Sequence, residues 1–555
     1  MKQLLLLTFA ISIFTYANAQ TPTYERVYNI MQTNCASVYC HGGSGSGNLD
    51  LKGIGSTTAE KMTDVYNKLV GVVPTNTTAA AKGDHLVYKG RMDKSFLFRK
   101  VNNGIESTVS LDANEGNAMP DGGSSLSDVE KELIRQWILH GAPESGEVVK
   151  ESVLTDYYVN GMANESFPNG APAAPSPSEG FQIKMGPFFL APKNNAQGYL
   201  DEIEYFQKWE LEFANDLEVT RIDTKMGIYS HHFLMYDYNS PSAANALDHG
   251  LRTNISHVDI SLVEAIQQPT DLVLPTGSAF NWEDDIVLDL NTHYINYDAN
   301  TVHKAEVYIN VYTQPQGTAN QEMQTFLIAN PNIYIPNNGN PYNFSENINF
   351  NLGELYLWSI MGHTHQWGSG YTVHKRINGQ KGDLIYDAAC PQGEPNCATP
   401  FFDYQHIPMR FFDELLPVTF NAPNGIVHEA SYINTGSSPV GWGDTSDDEM
   451  MVLVFMGVSD TTGVVTNTGK IIANPLNEIK VFPNPATRQA VFTVPSTVQE
   501  FDFILFNMLG QQVRNINGLR NNELVVDRNQ LEAGIYIYQI KDKEGNVKTG
   551  KVIFR

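Results

Sequence analysis

At 555 residues with 42% hydrophobic and 17% charged side chains, the chain is too long for one core and too apolar for disorder, so several folded domains are expected. Its 61 acidic against 36 basic residues, a net charge of −25, exclude nucleic acid or an anionic membrane as the main partner. Four cysteines exclude a disulfide-built miniature fold, and 44 Gly, 28 Pro and 11% aromatics favour short strands and turns over a helical bundle.

Lys2 precedes an apolar run from Leu4 to Phe14, and Ala17-Asn18-Ala19 follows with the small residues a signal peptidase cuts. Residues 1–19 therefore read as a signal peptide, and the run is too short to span a bilayer. The mature chain is expected to begin at Gln20 and to fold in an oxidising compartment.

Residues 20–150 read as helical. Apolar residues recur at helical spacing over Tyr24–Gln32, Thr58–Leu69 and Ser127–Leu139. Ser127 with Glu130 predicts a capping box, and Gly141 with Pro143 predicts the stop. Cys35 and Cys40, with four residues between them, are followed at once by His41, an arrangement of two thiols and a histidine suited either to haem attachment or to a plain disulfide with His41 free. A Pro/Ala/Ser stretch from Pro168 to Pro177 marks a linker, placed at 151–180.

From Phe181 the pattern changes to strands, including Ile286–Leu290, Ala305–Tyr312, Asn347–Leu352 and Met451–Phe455. The span suits two consecutive β-sandwiches, at 181–315 and 316–457. Three histidine groups stand out within it: His231-His232, His293, and His363 with His365. In a strand His363 and His365 face one side, whereas adjacent His231 and His232 need a bulge to share an ion. His303, His374, His406 and His428 read as surface or hydrogen-bonded core residues. The softer candidate ligand is Met450, in a stretch that follows the turn Trp442-Gly443-Asp444-Thr445. A neutral thioether suits Cu(I) better than zinc or magnesium, and neither Cys390 nor Cys397 has the neighbourhood of a blue-copper thiolate. A polar linker at 458–475 leads to a last strand-rich block, 476–555.

These motifs carry three resemblances. The Cys35–His41 turn, with Met119 in the loop Ala118–Gly123 and the helix bearing Trp137, resembles class I cytochromes c. That implies haem c held by Cys35, Cys40, His41 and Met119, although the usual cysteine spacing is two residues. The histidine groups with Met450, in that order, resemble the type II copper, ascorbate-dependent monooxygenases, the group of peptidylglycine α-hydroxylating and dopamine β-monooxygenases. That resemblance implies two copper ions. His231, His232 and His293 would hold the electron-transfer copper, and His363, His365 and Met450 the oxygen-binding copper, with Met451 as the rival thioether. Cys390 and Cys397 suggest one local disulfide. Lys480–Pro485 (KVFPNP), the Asn507–Gln512 turn and the ends Gly534–Gln539 and Lys551–Arg555 resemble the type A sorting domain of type IX secretion, implying export through the periplasm and outer membrane of a Gram-negative cell.

The expected fold is thus multidomain and mainly β, with an α-helical cytochrome c-like domain, two jelly-roll-like copper sandwiches and a small C-terminal β-sandwich. The expected function is a secreted copper monooxygenase that uses O2 and two electrons on a small-molecule or peptide substrate. An ascorbate-like or protein donor, or the fused haem, would supply the electrons. The competing expectations are a non-enzymatic surface protein for copper or haem electron transfer, and an adhesin with incidental histidines.

Overall fold

The computed structural model describes residues 21–555 apart from 44–45, 169, 194, 228, 254–258, 267–269, 444–446, 467–475, 477–478, 496–497, 499, 508–510, 521–522, 529–530 and 544–546. The signal-peptide segment 1–19, Asp444 and Thr445 of the expected turn, and positions 508–510 of the expected hairpin lie outside the described residues. The chain divides into two compact units, Met1–Leu154 and Thr155–Arg555.

The helical expectation for residues 20–150 is corrected. Strands take 43% of the chain and helices 14%, and no sizeable α-helical cytochrome c-like domain forms. The local signals were sound: Thr58–Leu69 and Asp128–Leu139 are helices of 12 residues, each opened by a reciprocal capping box, Thr57 with Glu60 and Ser127 with Glu130. Each run ends within two residues of a glycine at positive φ, Gly71 and Gly141. The chain between these two helices is loop and short helix, of five residues at Thr77–Ala81 and six at Phe96–Val101. Tyr24 stacks on Trp137 at 5.2 Å, which ties the helix Thr23–Asn34 to Asp128–Leu139.

The second unit is built of sheets. One sheet runs Ala163–Glu165, Val302–Pro315, Leu217–Met226, Ser278–Trp282, Gln321–Glu322, with Gly180–Leu190 and Thr270–Val273 branching from it. Its partner runs Leu251–Arg252, Glu202–Glu210, Val287–Ile295, Ser230–Tyr238, Ile260–Ile266. Phe188 of the first sheet packs against Tyr205 and Tyr294 of the second. The expected linker at 151–180 is partly structured, because Glu151–Tyr158 is a helix and Ala163–Glu165 pairs in parallel with Val302–Lys304.

The next sandwich faces Gln324–Ala329, Val452–Val458, Gly353–His363 and Arg410–Phe420 against Pro341–Ile348, Gly425–Ile433, Gly368–Ile377 and Gln380–Asp387. The expected strand Asn347–Leu352 is in fact split. Asn351 and Gly353 both take positive φ, so the chain turns there between two strands. Inward residues such as Tyr371, Val373, Leu453 and Phe455 form one core, which continues into Leu262 and Ala265 of the preceding sandwich. The two sandwiches therefore meet along an apolar seam. Thr325 Oγ1 also donates across it to Val263 O at 2.9 Å. Cys390 and Cys397 form a disulfide.

The last block has its own core, from Leu476 to Phe554, between a three-stranded and a four-stranded sheet. Its strands begin at Lys480–Phe482 and end at Val547–Phe554.

Glu264, on Ile260–Ile266, is fully buried and accepts only from Thr224 Oγ1 at 3.0 Å among the described residues. Burial raises its carboxyl to about 8. Below the ordinary value of 4.5 the group is protonated whether folded or not, and costs nothing. As the pH rises towards 8 the unfolded chain ionises while the folded chain does not, so stability falls by up to about 1.4 kcal/mol per pH unit. Glu264→Gln is expected to abolish that slope and to be more stable than the parent at pH 8. Urea unfolding at pH 5 and pH 8 measures the difference.

Candidate metal centre

Strand alternation decides where the first histidines face. On Ser230–Tyr238, Phe233 and Met235 are fully buried in their own sandwich. His232, Leu234 and Tyr236 occupy the other face, where Leu234 and Tyr236 pack on the core of the second sandwich. His232 pairs with His293, and His293 in turn with Glu204, so a row of three side chains crosses three strands on the seam.

His231 reaches the same place through a bulge. His293 pairs with His232 but Tyr294 pairs with Ser230, which leaves His231 as the extra residue. Tyr229 just before it takes φ of +70°, a left-handed value that costs energy for a bulky side chain. The bulge brings both adjacent rings to one side: ring centroids are 5.5 Å apart for His231–His232, 5.1 Å for His231–His293 and 5.2 Å for His232–His293.

The second group arrives from the other sandwich. His363 ends the strand Gly353–His363, with its ring 5.2 Å from His365. It also stands 6.4 Å from His231 and 6.1 Å from His232. The five imidazoles thus form one continuous chain across the seam. Two features set the position of His363. The Gly362 N–H donates to Tyr386 Oη at 3.2 Å, and Tyr386 Oη donates on to Pro408 O at 2.7 Å. The Tyr371 ring covers Gly362 so closely that a Cβ there would lie 2.4 Å from it. Tyr371 is itself held by His428 Nδ1 at 2.6 Å.

Met450 lies far from this group in sequence, and the residue before it, Glu449, ties its segment to His365 by hydrogen bonds. The buried Glu449 carboxylate accepts from His365 N at 2.9 Å and from Met450 N at 3.3 Å. Met450 is half-buried at the core edge. Met451 is fully buried, with its sulfur 3.7 Å from Asn330 Nδ2. Of the two, Met450 is the less buried thioether.

Electrostatics favour the neutral form at His231, His232 and His363. Burial, then the neighbouring His293 and His365, push His231 down to about 3. Burial and the adjacent imidazoles hold His232 and His363 well below the usual value. A neutral imidazole is the protonation state a metal needs. The hydrogen bonds also select nitrogens. His293 Nε2 lies 2.8 Å from Glu202 Oε1, which leaves Nδ1. His365 Nδ1–H donates to Asp448 O at 3.1 Å, which fixes the plane of that ring. His232 Nδ1 is buried with no partner among the described residues.

The residues fit a soft or borderline cation on this ground, but no three His, Cys, Asp or Glu side chains among the described residues are already closed around one point. Two imidazoles on one ion, with nitrogen–metal bonds of about 2.0–2.1 Å, place their centroids about 5 Å apart. The spacing is therefore set by the backbone, and closure is left to side-chain rotation. Glu202 and Glu204 are additions that sequence reasoning missed. Their only signal is the alternating Glu202-Ile203-Glu204, which is ordinary for any strand with a polar face.

The other expected site lies in the first unit. Cys35 and Cys40 are free thiols. His41 follows in the same turn, with its N–H donating to Cys35 O at 3.0 Å. His41 Nδ1 is buried without a partner among the described residues. Met119 sits on a different loop, where its N–H donates to Lys100 O at 2.7 Å and its carbonyl accepts from Asn103 Nδ2 at 3.0 Å.

Residues 480–555 match the family of secretion-system C-terminal sorting domains. This type IX sorting domain indicates export, with secretion or attachment at the cell surface, and implies contact with the secretion machinery. No curated protein matches the chain. Among solved structures, the major capsid protein P2 of bacteriophage PM2 is 8% identical, with a TM-score of 0.24 over 51% of this chain and 100% of that one. The STIV MCP is 11% identical, with a TM-score of 0.21 over 50% of this chain and 92% of that one. Likeness at that level carries no argument about function.

The sorting block keeps its core to itself, so deleting residues 480–555 is expected to leave the remaining domains folded while abolishing extracellular recovery. Immunoblots of culture medium, outer membrane and periplasm check this. Undiminished protein in the medium would refute it.

Proposed function

We propose that the chain is an exported two-copper monooxygenase, in which His231, His232 and His293 hold one ion and His363, His365 and Met450 hold the other. The observation that carries this is the run of five imidazoles from both sandwiches across the seam, with Met450 on the segment hydrogen-bonded to the His365 main chain through Glu449. Bound copper would supply single-electron storage and oxygen reduction, for the overall change RH + O2 + 2 electrons + 2 protons giving ROH + H2O. The protein's own work is positioning. Glu202 fixes the His293 ring, the Asp448 carbonyl fixes the His365 ring, and burial disfavours protons on His231, His232 and His363. The apolar seam around Leu234 and Tyr236 limits water.

The two ligand sets differ chemically, which favours an enzyme over a copper store or an adhesin. A store gains nothing from one all-imidazole site and one with a thioether. Purified protein is expected to bind two coppers per chain and to consume O2 with ascorbate in the presence of a suitable small-molecule or peptide substrate. Met450→Ala is expected to lower turnover by at least about 100-fold and to remove the copper–sulfur X-ray scattering, with the three-histidine copper retained. Met451→Ala is expected to lower stability by about 2–4 kcal/mol while keeping the sulfur signal. Full activity in Met450→Ala would sink the ligand assignment. Two bound coppers without oxygen consumption over a broad substrate library would favour the electron-transfer alternative.

A second reading concerns the electron source. The two free thiols and the unpartnered His41 Nδ1 favour a haem held by Cys35, Cys40 and His41, with Met119 as a candidate second ligand. Protein expressed with haem-maturation machinery is then expected to carry haem by intact mass and pyridine haemochrome. An unmodified mass with a Cys35–Cys40 disulfide would end that reading without touching the copper sites.

A further inference from the structure

Glu449 stands between the two ligand segments of the second site and is fully buried. A carboxylate in such a place costs several kcal/mol unless its charge is met. Among the described residues no Lys or Arg meets it. Its contacts are main-chain amides: Oε2 accepts from His365 N at 2.9 Å and Met450 N at 3.3 Å, and Oε1 accepts from Trp367 N at 2.6 Å. The main chain of Glu449 is pinned in turn, since its N–H donates to Gly441 O at 2.9 Å and its carbonyl accepts from Gly443 N at 3.2 Å. One side chain therefore joins the loop after His363 to the segment that carries Met450. These segments are far apart in sequence and approach only where the strands Gly353–His363 and Val452–Val458 pair.

An ordinary loop staple would need a single acceptor. Here several main-chain amides converge on one carboxylate, and two of them belong to the candidate ligands His365 and Met450 themselves. Rotation or withdrawal of the carboxylate would move His365 and Met450 relative to each other, while leaving His231, His232 and His293 on their own strands.

We infer that Glu449 is the positioning residue of the second metal site, fixing the distance between the His365 imidazole and the Met450 thioether. The inference rests on the two-copper reading. Its effect comes from the chemistry of ligands held by hydrogen-bonded partners, whose loss weakens metal binding by about 10–100-fold.

The test uses the full chain loaded with Cu(I), with Glu449→Gln and Glu449→Asp as variants. In Glu449→Gln the amide nitrogen faces a main-chain N–H and cannot accept from it. This variant is expected to lose about 10–100-fold in Cu(I) affinity at one site of two, by chelator competition, and to lose the copper–sulfur scattering. Glu449→Asp keeps the charge one methylene shorter and is expected to retain the sulfur signal with a smaller loss of affinity; it carries the test if the glutamine variant does not fold. A folded Glu449→Gln protein with a lower melting temperature but unchanged affinity and sulfur scattering would overturn the inference and leave the copper reading standing. A parent protein that binds fewer than two coppers, or shows no sulfur scattering, would instead overturn the reading itself.

Discussion

Imidazole rings buried against one another must stay neutral, because a proton on any of them would sit in low dielectric beside further ring nitrogens. At His231, His232 and His363 that condition is met twice over, by burial and by mutual proximity. It holds only if the two sandwiches stay together, since the rings come from both. The shared apolar core, running from the second sandwich into Leu262 and Ala265, supplies that attachment. The seam is therefore at once a packing surface and the wall of the site.

Hydrogen bonds then give direction to rings that packing alone would leave free to turn. Glu202 on His293, the Asp448 carbonyl on His365 and the Glu449 carboxylate on the main chain each remove one degree of freedom. They come from two distant parts of the chain, the strand Glu202–Glu210 and the segment before Val452–Val458, so the geometry is not confined to one motif.

Much of this was legible from residue type and spacing. Adjacent histidines on a strand cannot share a face without a bulge, and the register between Val287–Ile295 and Ser230–Tyr238 supplies one at His231. The capping boxes at Thr57 and Ser127 were local facts and local reasoning suffices for them. The extent of helix was not legible. Strong caps say where a helix starts, but nothing in them reveals that the chain between helices will be loop, and an expected helical domain gave way to short helices in a mainly β chain. Glu202, Glu204 and Glu449 stayed hidden for a different reason. Glu202 and Glu204 lie on a strand, where carboxylates are common, and Glu449 on the segment before Val452–Val458; only the pairing of distant strands places these three beside histidines. The sorting block was the most legible part, because its signature lies in short contiguous runs at each end of one domain.

The glycine at 362 has a consequence for how this chain can diversify. Its missing side chain is the space occupied by the Tyr371 ring, and that ring is locked by the buried His428. A methyl group at 362 could be accommodated only by shifting an aromatic whose neighbours leave it nowhere to go. The step before His363 thus resists single substitution: a side chain at that one backbone position would require simultaneous replacement of residues on the strands that carry Gly362, Tyr371 and His428.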